Sequence, residues 1–268
     1  MWAARTGLGL LALVLTAPPV AAGPGVVVER VETGGATETA GLEPGDRLLA
    51  WERGEEPGQP GAGGEFHSPL DLMVIEIREA PLGPITLLGE GARGTFALVL
   101  PPGTWGISSR PDLDADDLDT YRQAEKKADD GDFSGAVERL RSLTDSTGET
   151  PERAAWLLQR AALWQGQAGN WEEANALFDQ AAGHLEANNQ DEQTACLRLS
   201  QGDLLRGRSR FDAATRAYEH ALAGWRKVSP SGLGIAICQF RLGRVAGDRA
   251  DLVLAEKHYR ESLRLRRE

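Results

Sequence analysis

Residues 170–178 read NWEEANALF, and the reading of this stretch decides the larger part of the fold. An aromatic residue, Trp171, stands three places before Ala174, and a large apolar residue, Phe178, stands four places after it. The pattern returns in DFSGAVERL (132–140), RFDAATRAY (210–218) and DLVLAEKHY (251–259). The anchors are Phe133/Ala136, Phe211/Ala214 and Leu252/Ala255, followed by Leu140, Tyr218 and Tyr259. Twelve residues before each alanine comes a small residue: Ala124, Ala162, Gly202 and Gly243. The alanines Ala136, Ala174, Ala214 and Ala255 lie 38, 40 and 41 residues apart. A recurrence at that interval marks stacked supersecondary units, each unable to bury its apolar face alone.

The pattern resembles tetratricopeptide repeats. That resemblance implies helical hairpins in which the small residue of the first helix lets the second approach. The alanine does the reciprocal job, and the large residue fills the gap against the next hairpin. The period is longer than the usual one for that family, and GHLEANNQDEQ and WRKVSPSGLG hold the extra residues. The anchors belong to core packing. The first helices would line the inner curve, which makes Gln159, Leu163, Leu199, Asp203, Arg206, Phe240 and Arg244 the candidate binding surface. The chain ends EKHYRESLRLRRE inside a second helix. Either that helix caps itself through its charges or the sequence is the front of a longer protein.

Outward to the N-terminus the composition changes. Residues 25–107 are rich in Gly, Pro, Val and Leu. GVVVERVE reads as a strand, TETAGL as a short helix that Gly41 ends, and Pro44-Gly45 as a turn into the strand DRLLAWE. EEPGQPGAGGE reads as a flexible loop. Ser68 and Pro69 start a helix. PITLLGE and TFALVLP read as two more strands. Leu70, Met73, Val74 and Ile77, spaced i, i+3, i+4, i+7, are expected to face that module's core.

This order, with Ala40-Gly41-Leu42 and Pro44-Gly45-Asp46, resembles a bacterial PDZ domain. The resemblance implies a groove for the C-terminus of a partner, whose carboxylate is held by a loop of pattern x-apolar-Gly-apolar. The usual place for that loop, before GVVVERVE, is taken by the leader. Thr104-Trp105-Gly106-Ile107 fits the pattern after the last strand, which suggests a further circular permutation. The candidate peptide site is then Gly103, Thr104, Trp105, Gly106 and Ile107, with the helix face of Leu72, Ile75 and Glu76 as the other wall. The alternative is that Trp105 simply seals the base of the domain.

The expected organisation is therefore multi-domain. A signal peptide spans 1–22, a small β-rich α+β PDZ-like domain 23–110, a linker 111–120, and an all-α tetratricopeptide solenoid of about four units 121–268. The leader has one charge, Arg5, an apolar run of about a dozen residues and small residues before Gly23. It predicts export to a bacterial periplasm or the exterior. Membrane association would follow only if the leader stayed uncleaved.

Net charge is −11 and the pI is near 5.0, so a basic stripe for nucleic acid is not expected. Two cysteines, Cys196 and Cys238, cannot frame a disulfide fold; they pair only if their helices stack, and otherwise stay separate buried thiols. The sequence has no phosphate loop, His-Glu-x-x-His helix, Cys-x-x-Cys pair or Gly-x-Ser-x-Gly elbow. His67, His184, His220 and His258 are scattered. The run Asp112, Asp114, Asp116, Asp117, Asp119 lacks the glycine and terminal glutamate of a calcium loop and suits a helix start. No enzyme, metal or cofactor is expected. The expectation is a scaffold that binds a protein or peptide. The alternative is the recognition part of a larger enzyme, for example with a CHAT-type protease domain beyond residue 268.

Overall fold

The computed structural model describes residues 25–55, 59–144, 150–229 and 232–267. The expected leader at 1–22 lies outside them. The β-branched run forms β1 (Val26–Val31), with Val26 and Val28 fully buried. Helix α1 (Ala36–Ala40) ends at Gly41, whose φ of 90° is open to a residue without Cβ. There Gly41 N–H bonds Glu38 O and Leu42 N–H bonds Thr37 O. The chain then turns into β2 (Arg47–Arg53).

The stretch expected to be a flexible loop holds a strand, β3 (Ala62–Glu65), paired antiparallel with β2. The sequence signal was absent because the strand carries no large apolar side chain. A Cβ on Gly64 would come 3.3 Å from the Trp51 indole nitrogen, so smallness is what lets this strand lie against Trp51.

Helix α2 (Pro69–Arg78) opens on a capping box. Ser68 accepts the Leu70 N–H, and Asp71 accepts the Ser68 N–H at 2.9 Å. A 3₁₀ turn at Ala80–Leu82 leads to the hairpin of β4 (Ile85–Gly91) and β5 (Gly94–Leu100). The last strand, β6 (Ile107–Pro111), returns to pair antiparallel with β1. The sheet runs β5-β4-β2-β1-β6, with β3 pairing β2. Its core includes Leu48, Phe66, Leu72, Ile75, Leu87 and Trp105. Each such side chain contributes about 1.5–3 kcal/mol through its removal from water. A buried ion pair, Arg53 Nε to Glu79 Oε2 at 3.0 Å, ties β2 to the end of α2.

Helices follow: α3 (Ala115–Asp129), α4 (Phe133–Thr144), α5 (Pro151–Ala168), α6 (Trp171–Glu186), α7 (Asp191–Gly207), α8 (Phe211–Val228), α9 (Leu233–Asp248) and α10 (Leu252–Leu265). They pack as successive hairpins, α3 with α4, α5 with α6, α7 with α8 and α9 with α10. Helix α3 begins inside the expected linker 111–120. Asp114 starts it there by accepting the N–H groups of Asp116 and Asp117.

Two of the small residues, Gly202 and Gly243, bring their helices together. A Cβ on Gly202 would lie 2.3 Å from Tyr218, and one on Gly243 would lie 2.7 Å from Tyr259. Tyr218 and Tyr259 therefore seat on the glycine of their own hairpin. Cys196 on α7 and Cys238 on α9 are buried free thiols. Burial raises the Cys196 thiol well above its usual range and pushes that of Cys238 up to about 12.

The two regions meet along α2, and here the expectation is reversed. Leu72 and Ile75 enter the core of the sheet region. Leu70 joins the core of the first hairpins, and Val74 joins that of the later ones, with Met73 and Ile77 packed against it. Polar contacts fix the approach: Gln193 donates to Asp71 at 3.1 Å, and Arg78 pairs with Glu192. The physical reason lies in α2 itself. Leu70, Leu72, Met73, Val74, Ile75 and Ile77 leave almost no polar side, as in a helix buried all round.

Candidate functional site: a cavity between sheet and helices

A cavity of about 530 Å³ opens where α2, the β5–β6 loop, α7 and α9 converge. Its apolar walls are Met73, Ile77, Pro81 and Leu82 on one side and Leu199, Leu233 and Ile237 on the other. Gly103 and Thr104 stand at its edge, and its charged lining groups are Glu76, Asp203, Arg241 and Arg266. The volume is within the range of about 300–1,000 Å³ common for ligand clefts.

The loop beside it is built by two glycines with positive φ, Gly103 at 127° and Gly106 at 65°. Gly106 has a second constraint, since a Cβ there would fall 2.6 Å from Glu32 Cβ. Between them Trp105 is 1% exposed. Its indole N–H donates to Pro101 O at 3.0 Å, and its carbonyl accepts the Thr37 hydroxyl at 2.9 Å. Its backbone N–H donates to Glu76 Oε1 at 2.9 Å. The loop's interior donor is thus already held by a carboxylate of the same chain, and Trp105 closes the base of the sheet region.

Among the described residues, Glu76 accepts that one bond. Burial raises its carboxyl above the usual range, and the Trp105 N–H pulls weakly the other way. Among the described residues it makes no ion pair. Asp203, in contrast, is compensated: Oδ1 accepts the Tyr218 hydroxyl at 2.7 Å and Oδ2 faces Arg241 at 3.2 Å. Arg266 is exposed at the rim.

The structure brings together candidates from both regions: Glu76, Gly103 and Thr104 with Leu199 and Asp203. Others lie elsewhere. Leu72, Ile75 and Trp105 are core, and Ile107 packs against that core. Gln159 is buried in α5 and Leu163 packs on the first helical core. Arg206 pairs with Asp248 at 2.8 Å, Phe240 packs against Tyr259 with centroids 5.7 Å apart, and Arg244 is half-buried on α9.

Sequence reasoning missed Leu233, Ile237 and Arg241. The positions equivalent to Leu199 and Asp203, taken from Ala214 to Ala255, are Phe240 and Arg244. The cavity instead uses Ile237 and Arg241, three residues earlier. The stripe Leu233, Ile237, Arg241 at i, i+4, i+8 was the available signal.

The acidic run serves structure: Asp112 pairs with Arg47 at 2.7 Å, Asp114 caps α3, and Asp117 pairs with Arg153. Among the described residues, no cluster of His, Cys, Asp and Glu is placed to hold a metal, and no helix is long and apolar enough to cross a membrane.

A tetratricopeptide repeat family model matches residues 193–268, and the helical region as a whole is consistent with such repeats. No curated protein matches the chain. Among solved structures, BtubC (BKLC) from P. vanneervenii is 16% identical, with a TM-score of 0.42, over 54% of this chain and 59% of that one. The chain thus spans less than two thirds of that structure's length. MamA AMB-1 is 17% identical, with a TM-score of 0.28, over 57% of this chain and 93% of that one. MamA MSR-1 is 13% identical, with a TM-score of 0.23, over 57% and 97%.

Proposed function

We propose that this protein is a non-catalytic interaction scaffold that holds a segment of a partner polypeptide at the cavity between its sheet and its helices. The observation that carries the proposal is convergence. Residues singled out separately in each half, Glu76, Gly103 and Thr104 in one and Leu199 and Asp203 in the other, line the same cavity. Tetratricopeptide repeats generally bind protein partners, which supports the reading. The first module is read as PDZ-like and permuted. In support, the strand after the Thr104–Ile107 loop pairs antiparallel with β1. Because Glu76 already takes the Trp105 N–H, the partner segment enters beside the loop and is not held by that donor. An exported location, expected from residues 1–22, belongs to the same proposal.

The test is selection of a displayed random-peptide library on the full chain, followed by titration of enriched peptides by fluorescence anisotropy. Thr104→Trp changes an exposed loop residue and places an indole over the mouth. It is expected to weaken binding at least about tenfold, the equivalent of about 1.4 kcal/mol, with an unchanged melting curve. Failure to enrich any peptide, or equal binding by Thr104→Trp, counts against the proposal.

A further inference from the structure

We propose that the cavity is a socket for a lysine side chain of the partner, with the ammonium on Glu76 and the aliphatic stem against Met73, Ile77 and Leu199. This deepens the scaffold reading and rests on it. The argument is charge complementarity. Glu76 sits in the wall of a mainly apolar cavity and, among the described residues, has a single hydrogen bond, to its Oε1 from Trp105. A carboxylate removed from water without a cation is held at a cost that a paired, hydrogen-bonded cation offsets.

The other charges in the lining do not oppose this. Asp203 and Arg241 face each other at 3.2 Å and offset one another, and Arg266 stands exposed at the rim, where solvent screens it. The interior is left with the negative charge of Glu76. Lysine suits such a site because its four-carbon stem covers apolar surface while the compact ammonium donates at the end. A norleucine side chain fills the same walls and leaves the carboxylate unpaired. The net charge of −11 also favours the approach of a basic segment.

The experiment uses the full chain with its methionine methyls labelled for NMR. The chain has two methionines, Met1 and Met73, and Met73 lines the cavity. Its methyl signal, assigned by its loss in Met73→Leu, therefore reports occupancy directly. The probes are acetyl-Leu-Lys-Leu-amide, the norleucine analogue of that peptide, and free n-pentylammonium. The lysine peptide is expected to shift the signal saturably and to bind at least about tenfold more tightly than the norleucine peptide. In Glu76→Gln the preference for the lysine peptide should be lost. The peptide should also bind more tightly than n-pentylammonium; the reverse order assigns the site to a free amine and overturns the partner-lysine claim.

Equal binding of the two peptides by the native chain overturns the lysine assignment and leaves the scaffold reading standing. A lysine preference that survives Glu76→Gln removes Glu76 from the role. If no probe moves the Met73 methyl, the socket is wrong, and the library selection decides separately whether the scaffold reading fails with it.

Discussion

Gly202→Ala tests the packing rule on which the helical array rests. The added Cβ would lie 2.3 Å from Tyr218 Cε1, where carbon atoms normally settle at about 3.5–4.0 Å. The ring has little room to retreat. Tyr218 is fully buried, and its hydroxyl is tied to Asp203 at 2.7 Å. Overpacking of this kind costs about 1–3 kcal/mol, and replacing a helical glycine by alanine returns about 0.5–1 kcal/mol. These terms leave a net of about 0–2.5 kcal/mol, and the 2.3 Å approach to a held ring puts the expected loss in the upper half, above about 1 kcal/mol. Gly183→Ala is the matched control: it too is a helical glycine, but its added Cβ meets nothing within 4 Å, so it should gain about 0.5–1 kcal/mol. The assay is urea unfolding followed by far-UV circular dichroism, with a shift in midpoint at constant slope. Gly202→Ala combined with Tyr218→Leu should cost less than the sum of the single changes, because the smaller side chain removes the collision. Stability of Gly202→Ala equal to or above that of the native chain refutes the proposed seating of the ring on the glycine.

Three other outcomes are expected. Burial raises the folded-state pKa of Glu76, so its contribution to stability is fully present below the ordinary glutamate range and is lost as pH rises through the folded value. Glu76→Gln keeps an acceptor for the Trp105 N–H without the charge; its urea midpoint should match or exceed the native one at neutral pH, with the advantage vanishing in acid. Glu79→Ala should cost about 3–5 kcal/mol in the same assay, because it strands Arg53, whose side chain is 4% exposed. Arg53→Met should cost less, since Glu79 keeps Arg78 at 2.7 Å. Cys196 and Cys238, both buried with raised pKa values, should resist iodoacetamide in the native protein and react together on unfolding, as read by intact mass.

What was legible in the sequence was whatever local chemistry determines. Gly41 and Gly45 need positive φ, Ser68 and Pro69 start α2, and the spacing of Ala136, Ala174, Ala214 and Ala255 places the second helices. These features act within a few residues or recur at a fixed interval. What escaped depended on surfaces meeting at a distance. Strand β3 owes its existence to the edge of β2, not to its own Ala62-Gly63-Gly64-Glu65. The cavity residues Ile237 and Arg241 lie off the stripe that strict repetition predicts, because which face of α9 meets α2 is set by packing that a sequence alignment does not carry.

The reversal of α2 follows from the same limit and explains where the site comes from. A helix with one apolar stripe announces its inside; α2 has two, and each serves a different body. Leu72 and Ile75 hold it to the sheet, while Leu70 and Val74 bind it to the helices. Met73, Glu76 and Ile77 lie along the opening between, where helices α7 and α9 stand opposite them. The cavity is therefore a property of the pairing: remove either body and one wall goes with it. It follows that peptide binding at Met73 and Glu76 should require both regions together. This also accounts for why Glu76, read as one wall of a groove within the first module, faces Leu199 and Asp203 of the second across a shared opening.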